Sequence, residues 1–147
     1  MKKLLPPTHF FTYLIISVLL HYALPIAQII NYPFNWLGFL FFIPGGILNI
    51  WTDQLFKKNK TTVKPDEKPT VLIQTGPFKI SRNPMYLGMT LLLIGAGVIL
   101  GTVTSFAGAI LFIAAMHFVF IPQEEKNLQE TFGKEFEAYK KKVGRWL

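Results

Sequence analysis

Two long stretches without a charged side chain constrain what this chain of 147 residues can fold into. No Asp, Glu, Lys or Arg occurs between Lys3 and Asp53, and none occurs between Arg82 and Glu124. Each stretch is about twice the roughly 20 residues with which one helix crosses a bilayer. A segment suited to a turn lies near the middle of each stretch. The sequence therefore predicts an all-α integral membrane bundle of about four transmembrane helices in two hairpins.

The predicted helices are separated by the turn segments NYPFN and GTVTS. Pro25, Pro44 and the Gly45-Gly46 pair are predicted to kink the first two helices. The helices are expected at about residues 9–30, 36–56, 84–101 and from 106 into the segment IPQEE. This gives one membrane domain, 1–147, with a first hairpin at 1–56, a cytoplasmic loop at 57–82, a second hairpin at 83–122 and a C-terminal interfacial helix at 123–147.

The basic residues predict the orientation. Of the fifteen Lys and Arg, two precede the first helix, seven fall in 52–83 and six in 123–147. With an even number of crossings these segments share one side, which the positive-inside rule makes the cytoplasm, so both termini are expected there. The net charge of +7 then indicates topology and attraction to anionic headgroups, not nucleic-acid binding. The first apolar run is too long for a signal peptide, so we expect it to be retained.

The C-terminal segment carries an apolar stripe. Its members recur at spacings of 4, 4, 3 and 4: Leu128, Phe132, Phe136, Tyr139 and Val143. This pattern predicts an amphipathic helix. It fits a helix lying at the membrane interface, or a lid packed over the cytoplasmic ends of the bundle.

The segment GPFKISRNPMYLG, residues 76–88, begins the third predicted helix. Asn83 is a preferred N-cap and Pro84 a preferred first helical residue, so the segment can be explained as a helix start. A helix N-terminus also attracts anions, and Arg82 beside it has a guanidinium suited to carboxylate or phosphate. Tyr86 in the first turn fits an interfacial anchor or a ligand contact.

The fourth helix carries an ionisable residue, His117, which marks a candidate site inside a membrane helix. A neutral histidine bonded to a neighbouring helix is the alternative. His117 precedes Glu124 by seven residues, which leaves the two about 20° apart on a helix surface. Glu124 and Glu125 could also be acids in a first helical turn. Gly88 and the GAGVILG stretch in the third helix indicate close helix packing.

The second hairpin returns the fourth helix to the end where the third begins. We therefore expect one pocket at the membrane surface that gathers Arg82, Asn83, Tyr86, His117, Glu124 and Glu125. A basic group, a helix N-terminus and two acids suit a zwitterionic ligand with a carboxylate and an ammonium.

Two motifs of the chain resemble those of a known family. TGPFKISRNPMYLG is similar to the G-P-[YF]-x-x-x-R-[HN]-P-x-Y-x-G motif of the isoprenylcysteine carboxyl methyltransferase and phospholipid methyltransferase group. EEKNLQETFGKEFEAYKKKVGRW is similar to the second motif of that group, and the two together fall within residues 71–147. The resemblance implies an integral membrane methyltransferase that uses S-adenosylmethionine, with a membrane lipid or lipidated substrate as its partner and no metal.

The resemblance also implies roles for residues. The cofactor-binding set would be Arg82, Asn83, Tyr86, Gly88, Glu124 and Glu125. The catalytic residues would be Glu125 and His117, one or the other of which would accept a proton from an amine acceptor. The Asn-Pro-Met-Tyr stretch resembles phosphatidylethanolamine N-methyltransferases, so we expect the amine of an ethanolamine phospholipid as acceptor. The stretch FGKEFEAYKKKV resembles the prenylcysteine enzymes, so carboxyl O-methylation of a prenylcysteine-like substrate is the alternative.

Three other classes stay open at this stage. A small transporter would place ionisable groups near mid-membrane, where the predicted helices offer only His21 and His117. A structural membrane subunit would explain the helices without the two motifs. A degenerate relative would bind S-adenosylmethionine without transferring its methyl group.

Overall fold

The computed structural model describes residues 5–61 and 69–147, and the described residues form an all-α bundle. Residues 62–68 of the predicted cytoplasmic loop, and the first four residues, lie outside the described part. A 3-10 turn at Phe34–Gly38 leads into α2, and a π-helical segment at Met116–Phe120 joins α4 to α5. The helices are α1 (Pro6–Ala23), α2 (Phe39–Lys58), α3 (Pro84–Leu100), α4 (Ala107–Ala115), α5 (Ile121–Phe132) and α6 (Lys134–Lys142).

The first helix is shorter than predicted. It ends at Ala23, so Pro25 lies beyond its end and the predicted kink at Pro25 is wrong. A residue before proline avoids the helical region, which stops the helix there. The chain then runs alongside the end of α3, where the amide N–H groups of Ile29 and Ile30 donate to the Gly101 carbonyl at 2.9 and 3.0 Å.

The helices pair across the chain order. α2 packs along α3, and α1 packs along α4, while α1 and α2 make little contact with each other. The helices of the predicted first hairpin are therefore consecutive in sequence but are not a packed pair. The segment between Ala23 and Phe34 is long enough to separate them.

Glycines bring α2 and α3 into backbone contact. A Cβ placed on Gly95 would lie 2.7 Å from the Gly38 carbonyl oxygen, and one placed on Gly45 would lie 2.7 Å from the Gly88 carbonyl oxygen. Gly38 and Gly45 are two helical turns apart, and so are Gly88 and Gly95. The two contacts therefore lie along one side of each helix. The prediction that glycines in the third helix serve close packing is confirmed.

The predicted C-terminal helix is not one element. α5 continues the fourth helix through Pro122 as far as Phe132, and Gly133, with φ +48°, separates it from α6. The predicted end of helix four at IPQEE is therefore wrong. Proline is tolerated in the first turn of a helix, which is where Pro122 stands in α5.

The apolar stripe of the C-terminal segment packs against the rest of the protein. Phe136 and Tyr139 are buried with Ile73 and Phe78, and the other stripe residues pack around them. The C-terminal segment is therefore packed onto the bundle through this stripe. A second core, between α1, α3 and the fourth helix, centres on Leu93, Phe112, Met116 and Ile121.

Two helices of the described chain are long and apolar enough to cross a membrane. They are Phe34–Lys58 and Val103–Phe132, and Pro84–Leu100 is apolar but shorter. Large apolar side chains on α2, including Leu40, Ile43 and Ile47, are exposed. Exposed apolar faces of this size are typical of contact with lipid or with another protein.

Candidate active site

The loop before α3 is bonded to the C-terminal segment. The amide N–H of Arg82 donates to the Gly144 carbonyl at 3.0 Å, and Nδ2 of Asn83 donates to the Arg145 carbonyl at 2.9 Å. Asn83 occupies the predicted N-cap position and Pro84 begins the helix, but the Asn83 side chain makes no capping hydrogen bond. Its amide is used to hold the C-terminal segment instead.

A pocket lies beside this loop, between α2, α3 and α5. Its lining residues border about 320 Å³ of space between side chains, part of which is open solvent. Aromatic rings from Phe56 and Phe78 form part of its apolar wall. The lining residues are Thr52, Phe56, Phe78, Arg82, Asn83, Pro84, Met85, Tyr86 and Glu124.

Tyr86 and Glu124 meet on the wall of this pocket. The Tyr86 hydroxyl donates a hydrogen bond to Oε1 of Glu124 and so connects α3 to α5. Tyr86 is 5% exposed. Within residues 5–61 and 69–147, no basic side chain forms an ion pair with Glu124. Glu124 therefore brings a carboxylate to the pocket that is bonded to a neutral partner.

Glu125 has different partners from its neighbour. Arg145 binds it in a two-pronged contact, Nη2 to Oε2 at 2.6 Å and Nε to Oε1 at 3.1 Å. Arg82 approaches the same carboxylate, with Nη1 at 3.0 Å from Oε1. The hydrogen bond from Arg145 to Glu125 raises the pKa of the Arg145 guanidinium, so Arg145 stays charged. Sequence reasoning did not identify Arg145, although it belongs to the second quoted motif.

Arg82 is held at the pocket with part of its guanidinium unused. Its side chain is only 12% exposed, and its Nε is buried without a hydrogen-bond partner among the described residues. The guanidinium carbon lies 6.0 Å from the centre of the Phe136 ring, a distance at which a cation is attracted to the ring. Buried donors normally have partners, so an arginine that lines the pocket and has an unpartnered Nε–H suits an anionic ligand group.

His117 bonds to the C-terminal segment and is not a residue that lines the pocket. It lies in the π-helical segment, and its Nδ1 accepts a hydrogen bond from Nε1 of Trp146 at 3.1 Å. His117 is not among the pocket-lining residues, whereas Glu124 is. Pro122 has no N–H to donate back into the preceding turn. The preceding turn can therefore adopt the wider π-helical geometry seen at residues 116–120. The angle calculated for a regular helix therefore does not apply between His117 and Glu124.

Two further residues support the site from outside. The Tyr139 hydroxyl donates to the Phe78 carbonyl at 2.6 Å, which ties α6 to the pocket wall. Burial raises the pKa of Tyr139 to about 12, so its hydroxyl remains a donor at neutral pH. Gly88, predicted to bind the cofactor, lies in the contact between α2 and α3, where a Cβ would meet the Asn49 side chain and the Gly45 carbonyl.

The structure thus brings Arg82, Asn83, Tyr86 and Glu124 to one pocket, with Glu125 beside them. Within the described residues, no group of three His, Cys, Asp or Glu side chains is placed to hold a metal ion. A pocket with a guanidinium, a carboxylate and aromatic walls can bind an organic zwitterion.

Comparison with known proteins identifies the family of this chain. The model of the phospholipid methyltransferase family matches residues 34–135, which include the glycine-paired helices, the loop before α3 and both glutamates. A Haemophilus influenzae protein described as uncharacterized is 40% identical over 63 residues, which are 43% of this chain and the whole of that protein. The extent of the family match shows that this chain is a member of the phospholipid methyltransferase family, whose members are membrane methyltransferases.

Proposed function

We propose that this protein transfers a methyl group from S-adenosylmethionine to a lipid-like acceptor at the membrane surface, with the amine of an ethanolamine phospholipid as its substrate. The observation that carries the proposal is the presence of the Arg82 guanidinium and the Tyr86-bonded carboxylate of Glu124 in one pocket. The family match supports methyl transfer, and the residues of the pocket support S-adenosylmethionine as the methyl donor.

The residues of the pocket fit S-adenosylmethionine. Its amino acid portion carries a carboxylate and an ammonium, which match a free guanidinium N–H and a carboxylate without an ion-pair partner in the described chain. Its sulfonium is a cation, and the pocket is lined by two aromatic residues, Phe56 and Phe78, of a kind to which a cation is attracted. When bound, the cofactor supplies an electrophilic methyl group.

The chain's own residues would position and shield the reactants. Arg82 would bind the carboxylate end, and Tyr86 would hold the Glu124 carboxylate in a fixed orientation. The apolar wall would exclude water, and most of the rate gain would come from positioning.

An amine acceptor must also lose a proton. Glu125 and His117 are the residues predicted for that role. Glu125 already contacts Arg82 and Arg145, and His117 already accepts a hydrogen bond from Trp146. Each residue would therefore have to give up a contact to accept a proton.

We also propose that the protein crosses the membrane four times with both termini in the cytoplasm. The apolar helices and the confinement of Lys and Arg to three segments support this arrangement. It places the pocket at the cytoplasmic surface, where a phospholipid headgroup can reach it.

Methylation of a prenylcysteine-like carboxylate is the second candidate, and the FGKEFEAYKKKV stretch favours it. A carboxylate needs no proton acceptor, and Arg82 could orient it. This candidate differs from the first in the acceptor alone.

The test is transfer of a labelled methyl group by the purified protein in vesicles. Vesicles containing phosphatidylethanolamine should yield labelled lipid, and phosphatidylcholine vesicles serve as the control. Label on an added prenylcysteine but not on the lipid would select the second candidate. Stabilisation by S-adenosylhomocysteine without transfer would indicate a protein that only binds the cofactor. If S-adenosylhomocysteine does not stabilise the protein and no label is transferred, the proposal is refuted, and a transporter or structural subunit is favoured.

The site assignment has its own test. Glu124→Gln should weaken S-adenosylhomocysteine binding at least tenfold, about 1.4 kcal/mol, as measured by calorimetry. Unchanged affinity in a folded variant would refute the assignment of Glu124 to the pocket.

A further inference from the structure

The carboxylate of Glu125 is shared unequally between two arginines. Arg145 takes both oxygens, at 2.6 and 3.1 Å, whereas Arg82 reaches one oxygen, at 3.0 Å, without hydrogen-bond geometry. A two-pronged arginine–carboxylate contact is the stronger arrangement. Glu125 is therefore oriented by Arg145, and Arg82 receives only a partial contact.

The three side chains do not balance in charge. Two guanidinium groups face one carboxylate, which leaves one positive charge in excess. Among the described residues, two nitrogens of this group lack a hydrogen-bond partner, and both, Nε and Nη1, belong to Arg82, which lines the pocket. The arginine with the incomplete contacts is thus the one that lines the pocket.

We infer that Arg145 is a positioning residue that holds Glu125 away from a full contact with Arg82 and so keeps Arg82 available for the carboxylate of the ligand. The inference rests on the proposed function. It assigns a role to the segment after α6, which lies beyond the residues matched by the family model.

The segment is fixed in a way that suits this role. The Gly144 carbonyl accepts from Arg82, the Arg145 carbonyl accepts from Asn83, and Trp146 bonds to His117. These contacts come from the loop before α3 and from the π-helical segment. The backbone around Arg145 is thereby fixed by bonds that do not involve the Arg145 side chain, which then reaches Glu125.

Removal of Arg145 has a specific consequence under this inference. In Arg145→Gln, Glu125 is free to turn and form the two-pronged contact with Arg82, which would neutralise Arg82 and occupy its Nε. Binding of a carboxylate-bearing ligand should then weaken about tenfold. The double variant Arg145→Gln/Glu125→Gln has no carboxylate to capture Arg82, and a Gln–Gln pair can still hydrogen-bond. Its affinity should return to within about threefold of the wild type.

The experiment measures the affinity of S-adenosylhomocysteine for the full chain in detergent by calorimetry. The four proteins are the wild type, Arg145→Gln, Glu125→Gln and the double variant. Lys142→Gln is the matched control, because it removes one exposed positive charge at the end of α6 and should bind as the wild type does. Thermal unfolding without ligand checks that each variant is folded.

Rescue by the second substitution is the result that supports the inference, since a purely structural role for Arg145 predicts a double variant no better than Arg145→Gln. A folded double variant that binds as weakly as Arg145→Gln would overturn it, as would an Arg145→Gln protein with wild-type affinity. Absence of binding by the wild type would overturn the proposed function, and this inference with it. Binding by the wild type without rescue overturns this inference alone.

Discussion

Replacing Gly95 by alanine should destabilise the protein, because Gly95 lies where the backbones of α2 and α3 touch. The added Cβ would lie 2.7 Å from the carbonyl oxygen of Gly38, 2.9 Å from the amide nitrogen of Phe42 and 3.0 Å from its Cβ. Two of these three atoms belong to the backbone and cannot rotate away. The two helices must therefore move apart at this point.

The size of the effect follows from these distances. Favourable non-bonded contacts begin at about 3.5 Å, so the helices must separate by about 0.8 Å, a gap that forfeits a quarter to a half of each contact it opens. Overpacking of this kind costs about 1–3 kcal/mol. Alanine recovers about 1 kcal/mol of helix propensity relative to glycine. The net loss in the free energy of unfolding should be about 1 kcal/mol.

Gly46→Ala is the matched control in the same pair of helices. A Cβ at Gly46 meets nothing within 4 Å, so this variant should gain the propensity without the clash. The two variants should therefore differ by about 2 kcal/mol, or roughly 4–8 °C in Tm for a chain of this size. Circular dichroism during heating in detergent measures both. Equal Tm values, or a higher Tm for Gly95→Ala, would refute the backbone contact between α2 and α3.

Three other substitutions test single hydrogen bonds. Tyr86→Phe removes the donor that orients Glu124 and should weaken S-adenosylhomocysteine binding about tenfold in calorimetry, the size of one lost hydrogen bond; unchanged affinity would contradict a role of this bond in ligand binding. Tyr139→Phe leaves the Phe78 carbonyl without its partner and should lower stability by about 1–2 kcal/mol in thermal unfolding; a Tm equal to the wild type would argue against the bond. Trp146→Phe keeps an aromatic ring but loses the indole N–H that donates to His117. The ¹⁵N resonances of the His117 imidazole should therefore shift, and unshifted resonances would contradict the contact.

The sequence predicted the positions of most helices, because the edges of the charge-free stretches and the turn segments mark where helices begin and end. α3 was predicted closely, since Pro84 begins it and Gly101, at φ +79°, caps it. The helix partners could not be predicted. Helices that are apolar on all faces do not indicate which face meets which neighbour. The glycines of α3 indicated a close contact, but not that α2 would supply the other side.

Part of the site was also within reach of the sequence. Arg82, Asn83 and Tyr86 stand at one helix end, and the chain must return to that end near Glu124, so their meeting follows from the topology. Arg145 and Trp146 were missed because they follow the last helix in a segment without periodicity. A repeating apolar pattern predicts which face of a helix is buried. A segment without such a pattern is positioned only by its tertiary hydrogen bonds, which the sequence does not indicate.

The two adjacent glutamates show how helix geometry corrects a reading of sequence. Glu124 and Glu125 are neighbours in α5, and consecutive residues of an α-helix point about 100° apart. Two such acids cannot face one small pocket equally. Glu124 points to Tyr86 and the pocket, and Glu125 points to the arginines beside it. Adjacent acids on a helix therefore take different partners, as these two do.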